Sequence, residues 1–228
     1  MSEQNRMWYT GEISGDGGQR PIGLPATEAK RVLLFGGTFD PPHVGHLTMA
    51  QLALEQTGVD EVWFLPAPNP PHKQEIGDDT FGWRAAMVTA LLEGRAGLRT
   101  MPIEEFLPRP SYTVDTVHAC QLWYPDVEFS FLLGADSLEQ LLTWHGVDEL
   151  AKRVPFYVVA RSGTSALTQV VNTLRERLPE LRATAIEMPL LDVSSTWLRE
   201  RLEAGADICG LISPAVLDLW HKGPQNEV

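Results

Sequence analysis

The sequence predicts an α/β fold built on a doubly wound parallel sheet, and three observations carry that prediction. Short apolar runs of strand length alternate along the chain with longer stretches of helical period. The first run, RVLLF, closes on Gly36-Gly37 and leads into a helical stretch, the order expected of a buried parallel strand. The composition, 43% hydrophobic and 21% charged over 228 residues, suffices to bury one sizeable core.

The elements follow in order. After RVLLF, the stretch HLTMAQLALEQTG places Leu47, Ala50 and Leu54 on one helical face, with Gly58 as its C-terminal stop. VDEVWFLPA reads as the second strand and RAAMVTALLEG as the second amphipathic helix. A strand near 98–101, a helix over 113–123 and the strand VEFSFLLG ending at Gly134 come next. A helix over 137–143, the strand VPFYVVA, a helix over 167–178 and the short strand ATAIEM continue the alternation. SSTWLRERLEAG and PAVLDLWHKG close the chain as helices. In such a sheet, ligands sit at the carboxyl ends of the strands. The unusual residues of this sequence fall there.

Residues 1–30 are polar, rich in Gly and Pro, and without sustained periodicity, so they are expected to form a mostly flexible extension. The remainder, 31–228, shows neither an internal repeat nor an interdomain linker and reads as a single domain. The net charge of −12 argues against sequence-independent nucleic-acid binding, which needs a basic face. No apolar run of 18 residues and no secretory leader pattern appear, so no membrane partner is expected. Cys120 and Cys209 stand 89 positions apart, outside any ligand spacing, and a reducing cytoplasm is the expected compartment.

The segment GGTFDPPHVGHL, 36–47, is the most informative. Gly36 and Gly37 let backbone approach a ligand closely. Thr38 adds a hydroxyl, and a helix starting near His43 or Val44 sets His43 and His46 on its first turn, where backbone N–H groups and the helix dipole favour anions. This reads as a phosphate cradle without a Walker lysine. A metal-ligand pair and a purely structural pair are the competing readings; no third ligand lies nearby in sequence. Neither G-x-x-x-x-G-K-[ST] nor a well-placed G-x-G-x-x-G occurs. Near the C-terminus, VSSTWLRERL offers Ser194, Ser195 and Thr196 as N-cap candidates, with Arg199 in the turns that follow. It is a second anion site or, alternatively, a capped helix with a solvated arginine.

GTFDPPHVGH resembles the HxGH signature of the nucleotidyltransferase superfamily, and SSTWLR resembles that superfamily's second signature, S-x-T-x-I/L-R. Three further segments resemble nicotinate-nucleotide adenylyltransferases specifically: PAPNPPHK with Lys73, RPSYTVDT with Thr113, and GADSLEQLLTW with Gly134, Asp136 and Trp144. Each also has a plain reading, as a Pro-rich surface loop, a helix cap and an ordinary aromatic. The resemblance spans 31–220. It implies a Rossmann-like nucleotidyltransferase fold and transfer of AMP from ATP to nicotinate mononucleotide, with Mg²⁺ accompanying ATP. It implies His43, His46 and Arg199 as catalytic groups. Gly36, Gly37, Thr38, Phe39, Ser195, Thr196, Gly134 and Asp136 would serve ATP and its phosphates. Lys73, Thr113, Trp144 and His145 would serve the nicotinate nucleotide; His145 stands where the family often has an aromatic. Another HxGH transferase, using the amide nucleotide or phosphopantetheine, is the alternative enzyme, and a catalytically idle nucleotide-binding module the alternative class.

Overall fold

The computed structural model describes residues 19–68, 80–160 and 164–224. Among these residues six strands form one sheet: β1 (Arg31–Gly37), β2 (Glu61–Pro66), β3 (Leu98–Thr100), β4 (Glu128–Gly134), β5 (Phe156–Ala160) and β6 (Ala183–Glu187). Their order is β3-β2-β1-β4-β5-β6 and every pairing is parallel. The strand order reverses between β1 and β4, which opens a crevice beyond their carboxyl ends.

Alternation along the strands divides the core in two. Val32 and Leu34 of β1, with Trp63, Phe131 and Val158, face α3 (Thr113–Trp123), α5 (Val147–Arg153) and α6 (Thr164–Arg175). Leu33 and Phe35, with Val62, Phe64 and Leu132, face α1 (Val44–Thr57), α2 (Phe81–Leu92), α7 (Ser195–Glu203) and α8 (Pro214–Lys222). Both faces are therefore covered, which is why these strands read as continuous apolar runs.

Several boundaries differ from the sequence reading. The helix expected over 137–143 is a short α4, Ala135–Glu139, followed by a 3₁₀ turn, Leu141–Thr143. Thr143 closes that turn, its N–H and Oγ1 both donating to the Gln140 carbonyl at 2.9 and 2.7 Å. Helix α5, seven residues long, was not anticipated, and α6 begins and ends three residues earlier than 167–178. Residues 19–30 lie along the N-terminal end of the sheet. Leu24 is buried, and the Pro25 carbonyl accepts from Tyr124 Oη at 2.9 Å. Among the described residues no helix is long and apolar enough to cross a membrane.

Candidate active site

The turn that leaves β1 is held in an unfavourable conformation. Phe39 has φ +51°, the left-handed region that a residue with a Cβ avoids at a cost of about 1–2 kcal/mol. Its ring is buried beneath the turn, 5.6 Å from Phe35, 5.4 Å from Phe64 and 5.0 Å from His46. Phe39, expected from the sequence to serve ATP, is packed into the core beneath the turn and lines neither of the two cavities beside it. A Cβ on Gly37 would meet that ring at 2.8 Å, so glycine is required there by close approach.

Side chains from two helices hold the carbonyls of this turn. Arg84 of α2 donates from Nη1 to the Thr38 carbonyl at 2.8 Å. Arg199 of α7 donates from Nη1 to the Asp40 carbonyl, lies 3.4 Å from Asp40 Oδ2, and donates from Nη2 to Thr196 Oγ1 at 3.3 Å. Ser195 Oγ donates to the Pro41 carbonyl at 2.9 Å. Of the three N-cap candidates the structure uses Ser194, whose Oγ accepts from the Trp197 N–H at 3.2 Å. That choice leaves Ser195 and Thr196 to connect the two signatures, which are about 150 residues apart in sequence.

His43 is the N-cap of α1, its Nδ1 accepting from the Gly45 N–H at 3.1 Å, and His46 Nδ1 accepts from the His43 N–H at 3.2 Å. A ring nitrogen that accepts carries no proton, so each neutral imidazole bears its hydrogen on Nε2. Burial lowers His43 to a pKa of about 4. Burial, and then the neighbouring His43, lowers His46 well below the usual histidine range. The rings sit 3.8 Å apart as two neutral donors. They are not a charged pair.

Among the described residues two cavities flank this turn. One, of about 210 Å³, is lined by His43, His46, Met49, Gly134, Asp136 and Ser195, among others. The second, of about 460 Å³, has Gly36, Gly37, Thr38, Thr113, Trp144 and His145 in its lining. Gly134, the last residue of β4, belongs to both linings. Trp144 meets Phe131 edge to face at 6.2 Å, and His145 stacks on Tyr112 at 4.2 Å. Thr113 is the first residue of α3 and Tyr112 is the N-cap. Lys73 lies outside the described residues.

Sequence reasoning missed two groups. Glu104 lines the larger cavity and accepts from Thr116 Oγ1 at 3.1 Å and Ser111 Oγ at 3.3 Å; burial outweighs those bonds and raises its pKa to about 7. Arg84 is fully buried, and its signal was present: it stands three, four and seven residues before Met87, Val88 and Leu91, on the apolar face of α2.

A parallel sheet of this order, with paired imidazole donors on the first strand-to-helix turn and a second helix start bonded back onto it, defines a nucleotidyltransferase of the Rossmann-like class. The profile of the Cytidylyltransferase-like family matches residues 34–201. A probable nicotinate-nucleotide adenylyltransferase of Shouchella clausii is 42% identical over 87% of this chain and all of its own length. One of Salinibacter ruber is 39% identical over 80% of this chain and 91% of its own. The nicotinic acid mononucleotide adenylyltransferase of Plasmodium falciparum, solved in complex with NaAD, shares the fold at a TM-score of 0.68 and 19% identity, over 85% of this chain and 95% of that one. The chain belongs to the nicotinate-nucleotide adenylyltransferase family.

Proposed function

We propose that the protein transfers AMP from ATP to nicotinate mononucleotide, giving deamido-NAD and pyrophosphate, a step of NAD biosynthesis. The observation that carries this reading is the pair of cavities meeting at Gly134 beside His43 and His46. Two substrates seated one in each would bring their phosphates together at the turn. A 5′-phosphate oxygen of the mononucleotide attacks the α-phosphorus of ATP, the bond from that phosphorus to the bridging oxygen breaks, and pyrophosphate leaves with the electron pair. The attacking phosphate is already anionic, so no protein nucleophile is needed and positioning with charge stabilisation supplies the catalysis.

The neutral imidazoles suit that task. Neutral imidazoles keep their Nε2 hydrogens at neutral pH and can donate hydrogen bonds as charge builds on phosphate oxygens, without transferring a proton. His46 would serve the α- and β-phosphates, and His43 and Thr38 the pentavalent centre. Ser195, Thr196 and Arg199 would hold the β- and γ-phosphates, with Arg199 exchanging its Asp40 contact for the anion. Trp144 and His145 would flank the pyridine ring, with Thr113 at the start of α3. Mg²⁺ bound with ATP supplies neutralisation of the triphosphate. Such an ion would be carried mostly by phosphate oxygens and water rather than by a protein cage. The expected compartment is the cytoplasm, where thiols such as Cys120 and Cys209 stay reduced.

Pyrophosphate release with ATP and Mg²⁺, compared between nicotinate mononucleotide and its amide, tests the reading. A strong preference for the acid is expected. Equal rates would overturn the specificity, and no release with either would overturn the reaction.

A further inference from the structure

Arg84 is fully buried, yet among the described residues none of its direct bonds goes to a carboxylate. Nη1 donates to the Thr38 carbonyl at 2.8 Å, Nη2 to the Pro68 carbonyl at 2.9 Å, and Nε to Thr80 Oγ1 at 3.3 Å. Buried guanidinium groups ordinarily sit against an opposite charge. Here the fork is spent on backbone, and on two particular pieces of it: the segments that leave the neighbouring strands β1 and β2 at the carboxyl end of the sheet. Asp40 and Glu104 act on Arg84 through their charge and offset part of its desolvation.

The geometry of the peptide unit gives this clamp a consequence. In a trans peptide the C=O and the following N–H point to opposite sides of one rigid plane. Pinning the Thr38 carbonyl toward Arg84 therefore turns the Phe39 N–H away from Arg84. That peptide precedes the residue at φ +51°, whose conformation would relax if the carbonyl swung free. Thr38 itself lines the larger cavity.

We propose that Arg84 is a positioning residue for the transfer reaction: it holds the Thr38–Phe39 peptide so that Thr38, which lines the larger cavity, is set in place for the phosphate being transferred. The kinetic side of this assignment rests on the proposed reaction. The structural side does not.

Arg84→Lys keeps the charge but replaces the fork with a single nitrogen, and Arg84→Met removes the charge. Each is compared with the wild-type protein by thermal unfolding, by kcat and KM for both substrates, and by amide hydrogen exchange in the peptide covering residues 36–47. For folded Arg84→Lys the expectation is a kcat lower by about 100-fold, KM for each substrate within about threefold, and faster exchange in that peptide than in wild type. Where Arg84→Met fails to fold, Arg84→Lys decides. Wild-type kcat in the lysine variant overturns the proposal, as does a loss of rate that merely follows the folded fraction. Unchanged exchange at 36–47 in a folded variant also overturns it, whatever the activity. If wild-type protein releases no pyrophosphate, the functional reading fails by itself, and the exchange comparison still decides the role of Arg84.

Discussion

At the amino end of the sheet, Glu61 accepts hydrogen bonds from Arg99, Trp63 Nε1 and Thr27 Oγ1, and Asp60 Oδ2 accepts the N–H groups of Lys30 and Arg31. At the carboxyl end, Arg84 and Arg199 bond to backbone carbonyls, and His43 and His46 accept from backbone N–H groups. The amino end pairs donors with carboxylates, so its charges are largely neutralised within the protein. The carboxyl end spends its charged and imidazole groups mainly on shaping backbone, with Arg199 also beside Asp40, and leaves the two imidazole Nε2–H groups as donors for a ligand. For a chain with a net charge of −12, this local arrangement is what makes an anion site compatible with an acidic protein.

Substitutions at the two ends sharpen that contrast. His46→Ala removes one of the paired donors and is expected to lower kcat by about 10³-fold while the unfolding midpoint stays close to wild type. Near-normal turnover would break the contrast, because the carboxyl end would then hold no donor that matters.

Protonation gives the next largest effect. His43 titrates near 4 folded and 6.5 unfolded, so the unfolded chain takes up a proton that the folded one refuses. Its stabilisation is present above pH 6.5 and is lost on acidification toward 4, up to about 3 kcal/mol. Glu104 runs the other way. With a folded pKa of about 7 against 4.5 unfolded, its contribution is present below 4.5 and lost as pH rises through 7. Between pH 4.5 and 6.5 Glu104 offsets part of the histidine loss, to which the buried His46 adds in the same direction as His43. Glu104→Gln is expected to expose the His43 term, making acid destabilisation steeper than wild type by up to about 3 kcal/mol across that window. Parallel stability–pH curves for the two proteins would show that the Glu104 carboxyl carries no such shift.

Trp144→Ala is expected to raise KM for nicotinate mononucleotide about tenfold, with kcat and KM for ATP little changed. A comparable rise in KM for ATP would show that the two cavities are not divided between the substrates. The smallest effect belongs to the amino end. Arg99→Ala is expected to lower stability by about 1 kcal/mol or less, as for a partly exposed pair, and to leave turnover as it is. A loss of activity there would erase the difference between the ends.

Legibility in the sequence followed the same division of physics. Strands buried on both faces declare themselves as apolar runs, and β1 and β4 fall where RVLLF and VEFSFLLG indicated; the edge strand β6, with only Ile186 buried, falls at ATAIEM. His43 as a helix start and Gly58 at φ +66° as its end were likewise readable, because caps are local chemistry. Helix α5 was not readable: seven residues with Val147, Leu150 and Ala151 buried give barely two turns of period. The positions of the two histidines, Gly134 and Trp144 on the cavity walls came through motif resemblance. Arg84 did not, since a solvated arginine is the ordinary expectation on a helix; only its phase with Met87 and Leu91 marked it. Glu104 gave no local signal, because its burial depends on Ser111, Thr116 and a 3₁₀ turn (Ile103–Phe106) that only the fold brings together.

Gly134 has no side chain, and among the described residues nothing lies within 4 Å of where a Cβ would stand. The division between the two cavities is therefore a threshold rather than a wall. Two weakly held fragments, one seated on each side, need only a slender joint to cross it. Once joined, each confines the other and raises its local concentration, so a modest pair of binders becomes one tight inhibitor without a new contact. A single methyl at this position would enter that open space without disturbing the packing around it.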